Sequence, residues 1–166
     1  REGKKDSQIE TLSARLGGNV AYTKRRLIEC YFLDAAAIAE TINSDMKQFG
    51  QNAPFIEVTS DRVEATIRDL ESAGKTFLAE ASYEDREAWL ATVHAAKLLT
   101  ELFNVLTECQ LTYDKRRHGP MIVERMLTRD PEALAGLRAE VESLLERGRE
   151  ALRPRPPESR RAARRT

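Results

Sequence analysis

Turn-forming residues are scarce in this chain, and where they do occur they cluster. There are 8 glycines and 6 prolines in 166 residues, and Pro154, Pro156 and Pro157 fall together near the end. Aromatic residues make up only 6%. So few glycines and aromatics, beside 41% apolar and 33% charged residues, suit a helical bundle. No apolar run approaches the ~18 residues a membrane-crossing helix needs. No basic-then-apolar leader pattern is present either. The chain opens on Arg1 rather than methionine, which fits a piece of a longer protein.

Cysteine is equally sparse. Cys30 and Cys109 stand far apart, each inside a long apolar pattern of helical spacing. That placement predicts two buried thiols in a reducing compartment rather than a disulfide, and hence a cytoplasmic protein. The only histidines are His94 and His118. A carboxylate-bridged metal bundle needs Glu three residues before His, and those positions hold Ala91 and Lys115. There is no Cys-x-x-Cys and no His-x-x-x-His, so no metal ligand set is assigned. Gly17-Gly18 lacks the length and the Lys-Ser/Thr of a phosphate-binding loop, so no cofactor site is assigned.

What the chain does have is helical periodicity. From Ser82 to Arg117, Trp89, Val93, Ala96, Leu99, Phe103, Leu106 and Tyr113 fall on one face. Leu90, Leu98, Leu102, Val105 and Cys109 lie beside it. Ser82, Glu84, Asp85 and Glu87 suit a helix start; Lys115, Arg116, Arg117 and His118 before Gly119-Pro120 suit a stop. These signals predict one central helix of roughly 50 Å.

A second long helix is expected from Val20 to Phe49, where Ile28, Ala35, Ile42 and Phe49 repeat every seven residues with Phe32, Ala39 and Met46 in the complementary position. This short heptad seam is near the minimum for a coiled coil. A third helix is expected from Ser60 or Asp61 to Ala81, weakened at Gly74, and a last one after Asp130-Pro131. Ser7–Leu16 and Met121–Leu127 read as short extra helices. The fold class predicted is therefore all-α, an antiparallel bundle of four main helices with one or two short ones. Two helices near 45–50 Å would overhang the others, which argues for a protein partner or a homo-oligomer.

Charge divides the chain in two. Residues 153–166 carry six arginines and one glutamate, and the first 152 residues balance that +5 with −5. The expected organisation is a helical domain over 1–152 and a disordered Arg/Pro-rich tail over 153–166.

Three functions follow as expectations. The first is a non-enzymatic helical interaction module, a subunit or adaptor. Its contact residues would be the narrow face of Ala35, Ala36 and Ala39 and the apolar loop residues Phe55 and Ile56. The second is an accessory nucleic-acid-binding protein that uses Arg153, Arg155, Arg160, Arg161, Arg164 and Arg165 of the tail. The tail holds no aromatic residue to stack on bases, so such binding would ignore sequence. The third is a helical nuclease. Arg86 lies eight residues before His94, beside Glu87. This loosely resembles the Arg-to-His spacing of helical ribonucleases of the HEPN class, whose gap is shorter. No residue is assigned a catalytic role on that spacing alone.

Overall fold

A computed structural model of the chain describes residues 6–15, 23–25, 27–49, 56–75 and 80–151. Among them the fold is all-helical. In chain order the helices are α1 (Asp6–Arg15), α2 (Ala35–Phe49), α3 (Ser60–Ser72), α4 (Arg86–Thr92), α5 (Ala95–Leu106), α6 (Lys115–Arg129) and α7 (Ala135–Ala151). A short 3-10 turn, Ile28–Tyr31, precedes α2. No helix among the described residues is long and apolar enough to cross a membrane. Residues 152–166, with all six tail arginines, lie outside the described residues, as does Phe55.

The organising element is α2. It packs on α3 and α6, α3 packs on α5, and the 3-10 turn touches α4 and α5. Its Ala37, Ile38, Thr41, Ile42 and Asp45 have at most 1% of their surface exposed. They recur at the i, i+3, i+4 spacing of one helix face. Trp89, Val93, Leu98, Leu99, Leu102, Phe103 and Ile122 belong to the same core, each fully buried.

The long central helix predicted from Ser82 to Arg117 is three elements. The first break follows Thr92. Val93 is extended, and the His94 side chain accepts from the Lys97 N–H to start α5. The second break follows Leu106. Thr107 Oγ bonds back to the Phe103 carbonyl at 2.6 Å and accepts from the Leu111 N–H at 3.0 Å, drawing the backbone out of the helical ladder. Glu108 and Cys109 then take left-handed conformations, with φ of 50° and 63°. Apolar spacing survives both breaks because the turns return the chain to the same core. Periodicity therefore shows which side faces inward but not whether the helix is continuous.

The stop signal predicted at Gly119-Pro120 is likewise corrected, since both residues lie inside α6. Asp114 begins that helix, and its side chain accepts from the Arg116 and Arg117 N–H groups at 2.7 and 3.1 Å. Pro120 is only the sixth helical residue. The single bond it omits would be accepted by the carbonyl of Arg116, an exposed residue that water can serve. Gly119 is buried beside Tyr113 and Phe32, whose Oη and Cζ would stand 3.6 and 3.9 Å from a β-carbon there, ordinary contact distances.

The helix predicted from Val20 starts only at Ala35. Asp34 accepts from the Ala37 N–H at 2.7 Å and so caps it. α3 ends at Ser72, with Gly74 at φ +66° closing the turn. At 15 residues α2 spans only about 22 Å. The overhang expected from two very long helices is absent, and with it that particular argument for a partner.

Candidate functional site

The densest polar constellation lies where the start of α6 meets α2. Asp114 caps α6, and the Arg117 and Arg116 N–H groups hold its carboxyl below the usual range. One turn on, His118 is buried, with 2% of its surface exposed. Its Nδ1 accepts from the Asp114 N–H at 2.8 Å, which assigns the ring proton to Nε2. That nitrogen donates to Asp45 Oδ2 at 2.7 Å, and the guanidinium of Arg117 meets Asp45 Oδ1 at 2.6 Å. The imidazole lies 4.6 Å from the Phe103 ring and 5.8 Å from Tyr113.

This arrangement has the residue types of a catalytic site but not its geometry. A general base needs a lone pair free for substrate, whereas that of Nδ1 is spent on the backbone. Both ring nitrogens and both Asp45 oxygens are committed within the protein. The constellation ties α6 to α2 by satisfying a carboxylate that is 0% exposed.

Beside it, Lys115 Nζ meets Glu29 Oε1 at 2.7 Å, and Glu29 is 2% exposed. Glu29 Oε2 and the Tyr113 hydroxyl make no hydrogen bond among the described residues. Burial first, then the nearby Glu29 charge, pushes the Tyr113 hydroxyl well above its ordinary value.

Sequence reasoning placed Lys115 to His118 at a helix C-terminus, where they would balance the dipole. They are at an N-terminus, because Asp114 caps α6 just before them. A second signal was available in α2. Asp45 follows Ile38 and Ile42 on the buried stripe, and a carboxylate at such a position needs a paired cation or donor.

The nuclease triplet is not gathered around a common point. Arg86 is the first residue of α4 and His94 lies two residues beyond its end, roughly 12 Å away along the chain. The Arg86 guanidinium donates to the Leu33 carbonyl and faces the Tyr83 and Trp89 rings at 4.8 and 4.9 Å. His94 Nδ1 serves as the cap of α5. Glu87 lines a cleft beside α7.

Of the predicted contact residues, Ala39 is buried in the core at 4% exposure, while Ala35 and Ala36 are half-buried. Ile56 is 91% exposed. The thiol expectation divides. Cys30 is buried, with its Sγ 3.5 Å from the Val93 carbonyl and its pKa raised by burial. Cys109 is exposed, because the turn after α5 carries it out of the core.

The last helix, expected after Asp130-Pro131, is α7, and what sequence reasoning missed is its exposure. Most of its residues are exposed; Leu137, Glu140 and Leu144 are half-buried. Glu140 Oε2 accepts from the Tyr31 hydroxyl and from the Lys24 N–H, the latter at 3.3 Å. Arg25 lies over the Tyr31 ring at 4.4 Å and donates to the Cys30 carbonyl at 2.6 Å. Burial first, and then the bond to Glu140, raises the Tyr31 hydroxyl from 10 to about 12. The folded value is the higher one, so this proton stabilises the contact fully below pH 10, and the contribution is lost as pH rises toward 12.

Away from the body, Val141 and Leu145 stand one turn apart at 44% and 56% exposure, next to Leu137 and Leu144. No protein-family model matches the chain, and neither a curated protein nor a solved structure does.

Proposed function

We propose that this chain is a helical protein–protein interaction module, a subunit or adaptor whose docking face is an apolar stripe along α7. The observation that carries this reading is the apolar stripe of Leu137, Val141, Leu144 and Leu145, two of whose members are about half exposed. Spacing of four, seven and eight residues makes one continuous line along a helix, the pattern a second helix packs against. Covering the exposed parts of Val141 and Leu145 is worth roughly one full apolar side chain, about 1.5–3 kcal/mol. That is an anchor rather than a whole interface, which needs on the order of 800 Å² from each side. Ile56, the most exposed large apolar side chain described, is the second contact we assign.

A photo-crosslinking amino acid at Leu145, in the full chain expressed in its own cells, tests the proposal. Protein adducts are expected at Leu145 and not at the exposed α3 residue Arg62. Equal yields at both positions would count against an α7 face. Adducts that disappear on nuclease treatment would favour nucleic-acid binding through the arginine tail instead.

A further inference from the structure

The inner side of α7 does not fill the space it faces. Gly136, Ala139 and Ser143, spaced by three and four residues, lie along one side of a cleft of about 450 Å³. Lys24, Arg25 and Tyr31 are among the residues opposite. Gly136, Ala139 and Ser143 are small and exposed, leaving an open cleft where a core helix would interlock, so little dispersion energy holds α7 down. A specific polar contact crosses the gap. Glu140 takes the Tyr31 hydroxyl and the Lys24 N–H on a single carboxylate oxygen. The other side-chain bonds described along α7 stay within the helix, from Arg138 to Glu142 and from Arg147 to the Ser143 carbonyl.

The chain entering α7 is built to turn. Asp130 ends α6 in an extended conformation with φ −141° and ψ 105°, and residues 131–134 form a turn before Ala135. Ala133 and Leu134 pack against the core, so the base of the helix is anchored while its length is not.

We infer that α7 is a hinged strap, latched to the body by Glu140 on Tyr31, and that it opens as a unit about residues 130–134. Opening frees the half-buried Leu137 and Leu144 to join Val141 and Leu145, so the latch regulates how much apolar face a partner meets. This regulatory role rests on the docking face proposed above; the hinge and the latch stand on the cleft and the hydrogen bonds.

Hydrogen exchange on the full chain, read by peptide mass spectrometry, tests the strap without any partner present. Glu140→Ala removes the acceptor, and Tyr31→Phe removes only the donor while keeping the ring under Arg25. Tyr31→Phe is expected to speed exchange across 139–151 by about 3- to 10-fold, the worth of one net hydrogen bond, and Glu140→Ala, which removes two acceptor contacts, by at least as much, with α2 and α5 unchanged. The strap is overturned by unchanged exchange in α7 in both variants. It is also overturned by an equal rise in α2 and α5, or by a wild-type α7 that already exchanges without protection. Because no partner enters the measurement, failure of the latch and failure of the docking reading are separate results.

Discussion

Replacing His118 with alanine is expected to cost about 3–5 kcal/mol of unfolding free energy, the sum of two buried polar groups left unpaired and a cavity. Three losses coincide. Asp45, 0% exposed, loses the donor on Oδ2 and keeps Arg117 on Oδ1. The Asp114 N–H loses its acceptor. A cavity opens beside Phe103, whose ring lies 4.6 Å from the imidazole. Chemical denaturation of the variant measures the sum, and His118→Phe separates its parts. Phenylalanine restores ring contact but leaves the Asp45 oxygen and the Asp114 N–H unpaired, so most of the loss should remain. A phenylalanine variant as stable as the wild type would show that packing, not the hydrogen bonds, joins α6 to α2.

Trp89→Ala is the second large effect, at about 3–5 kcal/mol for an aromatic side chain with no exposed surface. Trp89 meets Tyr83 edge to face, with centroids 5.0 Å apart, and carries the Arg86 guanidinium over its ring. Three segments therefore depend on it: the Tyr83 turn, α4, and the Leu33 carbonyl that Arg86 holds. Trp89→Phe should recover much of the loss. The indole N–H makes no hydrogen bond among the described residues, so its removal breaks none there. A thermal melt of the two variants reads the difference. Equal destabilisation by both would mean that indole size or its N–H carries the contact.

Sequence patterns disclosed the all-helical class and most of the core, for a physical reason. Ile38, Ile42, Leu98, Leu99, Leu102 and Phe103 are buried at the spacing their helices impose. Helix length was overestimated where a side chain ends a helix without glycine or proline. Thr107 ends α5 by bonding to its own preceding turn, and His94 starts α5 by capping it. Neither residue type announces that role. Pro120 misled in the opposite direction, because a proline early in a helix removes little.

The Asp45–His118–Arg117 contact joins positions about seventy residues apart, so no local pattern could reveal it. The α7 stripe was visible as an apolar face. Its exposure was not, because a periodic pattern is the same whether the face is covered or bare.

The most direct test compares Val141→Glu/Leu145→Glu with the wild type, each purified as the full chain from its own cells and sized by light scattering. The wild type is expected in a protein assembly heavier than the 18.8 kDa chain, and the double variant at 18.8 kDa. Their thermal midpoints should agree within a few degrees, because surface substitutions away from the core usually change stability by no more than about 0.5 kcal/mol. An assembly of unchanged mass in the double variant would contradict the claim that α7 carries the docking face.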